Sequence, residues 1–164
     1  MSGQKKLLFF LCGLLAFAGC NRAQSIQARI FKIAVIPQGS THEFWKSIHA
    51  GAVKAAQDLK ASGTQVTLFW KGPLREDDRE QQVQVVEGFL SQGIDGILLA
   101  PFDRRALVRP VEEAQRAGIP TVVLDSALDY DGVVSFLASN NYHGGELAAD
   151  EMGRLLGGKG KVCF

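Results

Sequence analysis

Polar and apolar positions follow two alternating patterns along the chain from residue 31 onward. Short apolar runs are separated by longer segments in which apolar residues recur every three or four positions. The short runs predict strands and the longer segments predict helices. The predicted strands are 32–36, 65–70, 96–100, 121–125 and 133–139, and the predicted helices lie near 43–60, 77–92, 104–117 and 142–156. This alternation indicates an α/β fold with a doubly wound parallel sheet.

Two of the predicted helices carry apolar stripes that we expect to face the sheet. Spacings of three and four residues place each stripe on one side of its helix. The first stripe consists of Trp45, Ile48, Ala52, Ala55 and Leu59, and the second of Val83, Val86 and Leu90. The third helix follows Asp103, whose carboxylate we expect to act as its cap.

Polar segments follow the predicted strands and are expected to meet at one edge of the sheet. They are GSTHEFW after the first strand, KGPLREDD after the second, PFDRR after the third and Asp125-Ser126 after the fourth. Ligands of open parallel sheets bind outside the carboxyl ends of the strands. The four segments therefore predict a polar rim that can bind a ligand. Beyond the fourth helix, GGKGKVCF predicts the beginning of a new strand.

The composition fits the α/β pattern and narrows the range of partners. Of the 164 residues, 46% are hydrophobic, 21% are charged and 18 are glycines, which is typical of a globular chain. The length allows one domain, or one domain and a piece of another. The formal net charge is +1, and no basic stripe of the kind that follows a phosphate backbone is present. Nucleic acid is therefore not an expected partner.

The N-terminal segment has the anatomy of an export signal. Two lysines precede the apolar run LLFFLCGLLAFAG, which is shorter than the roughly 20 residues that a transmembrane helix needs. The sequence AGC, which ends at Cys20, resembles the lipobox of bacterial lipoproteins, although Phe17 stands where that family prefers a Leu-like residue. The resemblance implies a signal peptide at 1–19, and a lipidated Cys20 with a polar tether at 20–30, anchored in a lipid bilayer. An uncleaved membrane anchor is the alternative.

The sequence contains neither a disulfide framework nor an enzyme signature. With Cys12 removed in the signal and Cys20 acylated, Cys163 alone remains, and one thiol forms no internal disulfide. Triad and zinc signatures are absent, and GGKGK lacks the Ser or Thr that completes a P-loop. A glycosidase needs two facing carboxylates, and nothing in the sequence sets the separation of Asp125 and Glu43. We expect no catalysis, no metal and no cofactor.

Most of the chain after the signal resembles type I periplasmic binding proteins of the ribose-binding kind. The segments that carry the resemblance are STHEFW, GIDGILLAPFDRRAL, EEAQRAGIPTVVLDS and SFLASNNYHGGELAADEMGRLLGGKGKV, in this order. Such proteins enclose a sugar between two lobes that are joined by crossing strands. The resemblance implies an N-terminal lobe at 31–138, and a crossing with the first elements of an incomplete C-terminal lobe at 139–164.

The resemblance also implies sugar contacts in the loop after the first strand. Phe44 and Trp45 lie where the family places ring-stacking aromatics, although helical spacing also puts Trp45 on the core stripe. Flat rings suit the apolar C–H faces of a sugar. His42 can donate or accept a hydrogen bond in the same loop, and its alternative role is that of a solvated residue.

Polar contacts with the sugar are implied after the fourth and fifth strands. Asp125 matches the family's sugar-binding aspartate, whose two oxygens can accept from neighbouring hydroxyls, and its alternative role is that of a turn residue. Ser126 stands where ribose binders commonly have arginine, so a bidentate donor is missing and ribose itself is less favoured. Asn140 matches a ligand-binding position, and its alternative role is a helix N-cap. Asn141 is expected to be a cap rather than a ligand contact.

The resemblance implies an extracytoplasmic solute-binding protein that captures a sugar for an ABC-type uptake transporter. Lobe closure around the sugar would form the surface that the permease subunits contact. A receptor of the same fold that feeds a sensor kinase or chemoreceptor is the alternative. A LacI-like repressor shares the lobe architecture, but it needs an N-terminal helix-turn-helix where this chain has an export signal.

Replacement of Cys20 by serine tests the lipid anchor. A serine hydroxyl cannot take the place of the thiol that receives the diacylglyceryl group, so Cys20→Ser should abolish lipid attachment and leave the domain able to fold. Metabolic labelling with a radioactive fatty acid measures the attachment, and Cys163→Ser is the matched control that should keep the label. Equal label in Cys20→Ser and the parent would contradict lipidation.

Overall fold

The computed structural model describes residues 29–163, which form a five-stranded parallel sheet and four helices. The strands are β1 (Ile30–Ile36), β2 (Gln65–Trp70), β3 (Gly96–Leu99), β4 (Thr121–Leu124) and β5 (Ser135–Leu137). The helices are α1 (Glu43–Ala61), α2 (Arg79–Leu90), α3 (Val108–Arg116) and α4 (Asn141–Leu155). The predicted signal peptide, Cys20 and most of the tether lie outside the described residues.

The strands lie side by side in the order β2-β1-β3-β4-β5, and every neighbouring pair is parallel. The predicted doubly wound α/β fold is confirmed. From β1 the chain first moves outward to β2 and then returns past β1 to β3. Because right-handed crossovers put helices on opposite faces when the direction reverses, α1 lies on one face and α2 and α3 lie on the other. The reversal between β1 and β3 is the position at which open sheets bind their ligands.

The main core lies between the central strands and the pair α2 and α3, which contact each other. The strands contribute alternate residues to it, since successive side chains of a strand point to opposite faces. Its members include Ala34 and Ile36 from β1, Ile97 and Leu99 from β3, Val86 and Phe89 from α2, and Val111 and Ala114 from α3. The core therefore joins β1 and β3 at the point where the strand order reverses.

The predicted stripe of α1 is correct only in its first half. Trp45 is buried and Ile48 and Ala52 are half-buried, but Ala55 and Leu59 are exposed. The 19 residues of α1 are about 28 Å long at 1.5 Å per residue. The six residues of β2, on which α1 packs, extend about 20 Å. The helix is longer than the strand, so its last turn lies in solvent.

The inward face of α2 also differs from the prediction. Its buried residues are Gln82, Val85, Val86 and Phe89. Val83 and Leu90 pack against the core but are only partly buried. The helix begins at Arg79, where the Asp78 carboxylate accepts a hydrogen bond from the Gln81 N–H at 2.9 Å. The predicted stripe missed Gln82 because a polar residue was not counted among the apolar positions.

The third helix begins at Val108, four residues after the predicted start at 104. The Asp103 carboxylate accepts from the N–H groups of Arg105 and Ala106, both at 2.8 Å. These bonds cap a separate turn over 104–107. Asp103 is thus a cap, as predicted, but of a turn that precedes α3.

The chain after β4 is less enclosed than the rest. No residue of α4 is buried. Asn140, rather than Asn141, is its N-cap, because the Asn140 Oδ1 accepts from the His143 N–H at 3.0 Å. The predicted strand in GGKGKVCF is wrong for the described residues 157–163. Gly157 and Gly158 have positive φ angles, and the Gly158 N–H bonds to the Gly153 carbonyl at 2.9 Å, which closes α4 with a glycine turn.

Among residues 29–163, no helix combines the length and the apolar character that crossing a membrane requires.

Gln82 holds the exits of two central strands to α2. Its Nε2 donates to the carbonyl oxygens of Pro37, at 2.9 Å, and Ala100, at 2.8 Å. Its Oε1 accepts from the Phe102 N–H at 2.9 Å. The side chain is fully buried, so water cannot replace these bonds if the amide is removed.

Substitution of Gln82 by methionine should destabilise the fold while preserving its volume. Two buried backbone groups and one partly buried one would lose their partner, and we expect the free energy of unfolding to fall by roughly 2–4 kcal/mol. Denaturant titration followed by circular dichroism measures the change. The matched control is Gln84→Met on the exposed side of the same helix, which should shift stability by less than about 0.5 kcal/mol. Similar stability of the two variants would exclude this role of Gln82.

Candidate functional site

The polar segments after the first two strands are packed together at the carboxyl edge of the sheet. Ser40 donates from its N–H and its hydroxyl to the Pro73 carbonyl, at 2.8 and 3.0 Å. Gly39 lies so close to Glu76 that a Cβ would approach the Glu76 Cγ to 2.6 Å. Glycine at position 39 therefore allows the two loops to meet, and they form one surface.

Gln38 connects the exits of β1, β3 and β4. Its Nε2 donates to the Pro101 carbonyl at 3.0 Å and to the Ser126 Oγ at 2.8 Å. Together with Gln82, it ties the segments that follow three strands into one rim. Neither glutamine was among the residues singled out from the sequence. For Gln82, the available signal was its helical spacing from Val85, Val86 and Phe89.

Phe44 and Trp45 take different positions although they are adjacent. Phe44 is 44% exposed, whereas Trp45 is 3% exposed. The rings meet edge to face with centroids 4.9 Å apart, and the Trp45 Nε1 donates to Glu76 Oε1 at 2.8 Å. Trp45 thus occupies the core position that helical spacing allowed, and it offers almost no ring surface to a ligand. Phe44 presents an accessible ring that is supported from behind.

His42 is the N-cap of α1. Its Nδ1 accepts a hydrogen bond from the Phe44 N–H at 3.2 Å. In a neutral imidazole one nitrogen accepts and the other carries the proton, so this bond leaves Nε2–H as the donor. His42 is exposed, and this donor lies in the same loop as the Phe44 ring.

Asp125 follows β4 in a backbone conformation that is rare for a residue with a side chain. Its φ angle is +62°, and it has the only positive φ among the non-glycine residues in the described part of the chain. The Ser126 N–H bonds to the Leu124 carbonyl at 2.7 Å across Asp125. A bond between residues two apart around a positive central φ is the rarer and more strained kind of γ-turn. Such strain costs on the order of 1–3 kcal/mol and is concentrated at functional sites.

The surroundings of Asp125 determine which of its atoms are engaged. Its N–H donates to the Leu137 carbonyl at 2.8 Å, which continues the β4–β5 ladder to the start of the turn. The Ser126 Oγ donates to Oδ2 at 3.1 Å. The side chain is exposed at the rim. The Asp125 carboxylate is therefore held at the carboxyl end of β4, where solvent can reach it.

Asn140 lies beyond β5, the neighbour of β4 in the sheet. Its Oδ1 caps α4, so its amide NH₂ is the group that can donate to a ligand. The structure places Asn140 at the same edge of the sheet as Asp125. The cap and a ligand contact use different atoms, and the two roles are compatible.

The charged groups near the start of α2 and α3 neutralise one another. Hydrogen bonds from the N–H groups of Ala106 and Arg105 lower the pKa of Asp103, and Arg79, 3.6 Å away, lowers it further. A hydrogen bond from Arg75 lowers the pKa of Asp77. These carboxylates stay ionised and already have partners. Within residues 29–163, no group of three or more His, Cys, Asp or Glu side chains is arranged to hold a metal ion.

A family model, described as a periplasmic binding protein domain, matches residues 33–164. The ribose import binding protein of Bacillus subtilis is 31% identical over 158 residues, which are 95% of this chain and 50% of that protein. A D-apiose import binding protein of Actinobacillus succinogenes is 31% identical over 130 residues, 79% of this chain and 40% of that protein. The chain thus spans about half the length of the curated relatives it matches.

Solved structures agree with this family match. An ABC transporter solute-binding protein from Agrobacterium vitis, bound to α-D-tagatopyranose, is 35% identical with a TM-score of 0.70, and the match covers 80% of this chain and 46% of that one. One from Actinobacillus succinogenes with bound D-allose is 28% identical with a TM-score of 0.70, covering 79% and 46%. The described fold is that of one part of such proteins.

Proposed function

The chain belongs to the periplasmic binding protein domain family, and from this premise we propose that it forms the first lobe of an exported protein that captures a sugar for an ABC-type uptake transporter. The named relatives are binding proteins of sugar import systems, which supports binding without catalysis. The two curated relatives are about twice as long as the match or longer. A second lobe would supply the opposite wall of the site.

The exposed carboxylate of Asp125 is the observation that carries this proposal. It lies at the carboxyl end of β4, in a strained turn, on the edge where parallel sheets bind ligands. A sugar presents several hydroxyl donors around its ring, and an ionised carboxylate accepts from them through charge-assisted hydrogen bonds. We assign Asp125 as the principal polar contact of this lobe.

The remaining rim residues complete one wall for a sugar. The exposed ring of Phe44 would pack on an apolar C–H face, because aromatic rings combine a large apolar surface with a defined geometry. Trp45 would support that ring through their edge-to-face contact. The Nε2–H of His42 and the amide of Asn140 would donate to ring or hydroxyl oxygens. The Ser126 hydroxyl would contribute to the same wall next to the Asp125 carboxylate.

The same proposal includes a place in the cell envelope. The N-terminal signal and Cys20 suggest an exported protein that is attached to a membrane by its acylated cysteine, and two or more acyl chains give stable attachment. Closure of the two lobes on a sugar would present a new surface to the permease subunits. A ligand can drive such closure only if it binds the closed state more tightly than the open one.

Titration calorimetry of the full-length mature protein with D-ribose, D-apiose, D-allose, D-tagatose and D-fucose tests the function. We expect at least one of these sugars to bind, and Asp125→Asn to weaken that binding by about tenfold to a hundredfold, as expected for loss of a charged hydrogen-bond partner. Asparagine tolerates a positive φ, so the turn should persist.

Asp131→Asn is the matched control, because Asp131 is also an exposed aspartate but lies outside the rim. Its affinity should equal that of the parent. Unchanged affinity in Asp125→Asn would remove Asp125 from the site, and a parent that binds none of the sugars would refute the proposed function.

A further inference from the structure

Three side chains at the rim form a directed series of hydrogen bonds that ends on Asp125. The Gln38 Nε2 donates to the Pro101 carbonyl and to the Ser126 Oγ, at 3.0 and 2.8 Å. The Ser126 Oγ donates its one proton to Asp125 Oδ2 at 3.1 Å. In this direction, each of the two N–H protons of Gln38 and the hydroxyl proton of Ser126 has one acceptor. A carbonyl oxygen only accepts, so Pro101 determines which end of the Gln38 amide faces the series.

We propose that Gln38 and Ser126 are positioning residues that hold the Asp125 carboxylate in its ligand-binding orientation, an inference that rests on the proposed sugar-binding function. The hydroxyl of Ser126 engages Oδ2, which leaves Oδ1 and the second lone pair of Oδ2 for the sugar. Gln38 holds that hydroxyl by donating to its oxygen. The orientation of Asp125 is then set before the ligand arrives.

The series is connected to the buried centre of the sheet. Gln82 holds both neighbours of Pro101 through the Ala100 carbonyl and the Phe102 N–H. Pro101 in turn accepts from Gln38. The carboxylate is therefore linked to the buried exits of β1 and β3, and not only to its own exposed turn.

Orientation matters here because Asp125 is exposed and its turn is strained. A free carboxylate on the surface samples several rotamers, and ordering it on binding costs conformational entropy. A site whose supporting groups hold the contact in place avoids this loss. The Ser126 hydroxyl supplies such support directly.

The series of hydrogen bonds requires a hydroxyl at position 126, because the residue there must both accept and donate. An arginine side chain has donors only, so it could not accept from Gln38. The Ser126 hydroxyl both accepts and donates, so it can connect Gln38 to Asp125, whereas an arginine at this position could not.

Sugar affinity of Ser126→Ala, Ser126→Thr and Gln38→Met tests the proposal in the full-length mature protein. The probe is the member of the D-ribose, D-apiose, D-allose, D-tagatose and D-fucose panel that the parent binds most tightly, measured by calorimetry. Ser126→Ala should weaken binding about tenfold, while its thermal unfolding midpoint stays near that of the parent. Ser126→Thr keeps the hydroxyl and should restore affinity to within about threefold.

The double variant Gln38→Met with Ser126→Ala distinguishes a connected series from two separate effects. If the residues act in series, the double variant should bind about as weakly as the weaker single variant. Additive losses would overturn the series. Should Gln38→Met fail to fold, the two Ser126 variants decide the outcome alone.

The outcomes distinguish failure of this inference from failure of the proposed function. A parent that binds sugar, together with a Ser126→Ala variant of equal affinity, would overturn the positioning role and leave sugar binding intact. Equal weakening in Ser126→Ala and Ser126→Thr would also overturn it, because the hydroxyl would then not be the cause. A parent that binds none of the panel would overturn both.

Discussion

The amide of Gln82 bonds to three backbone groups that leave the centre of the sheet: the carbonyls of Pro37 and Ala100 and the N–H of Phe102. These groups directly follow β1 and β3, the parallel neighbours at which the strand order across the sheet reverses. At that position the backbone must leave the ladder, and its polar groups would otherwise be buried without partners. One side chain from α2 satisfies them, and the rim begins on a rigid base.

Strain and support occur together at the end of β4. Asp125 adopts a positive φ in a γ-turn, which the chain would not maintain without contacts on both sides. The Leu137 carbonyl holds its N–H, and Gln38 holds the following serine. Rigid elements therefore determine the conformation of an exposed side chain at the rim, as they do at many binding sites. Phe44 shows the same arrangement, because Trp45 supports its ring from the interior.

The strand and helix order was predictable because periodicity is a local signal, and β2 has the bounds that the pattern predicted. The inward face of α1 was only half predictable, since the exposure of Leu59 depends on the length of β2. Gln38 and Gln82 were not predicted, because their partners are 18 to 88 residues away in sequence. Those partners become neighbours only through the order of the strands. Asp125 was identified by resemblance, whereas its strained turn required the structure.

A crystal structure of the full-length mature protein with a bound sugar tests the central claim most directly. That claim is that the rim at the carboxyl edge of the sheet forms one wall of a sugar site centred on Asp125. The account predicts an Asp125 carboxylate oxygen within about 3 Å of a sugar hydroxyl and the Phe44 ring against a C–H face. A sugar bound with no contact to either residue would contradict it.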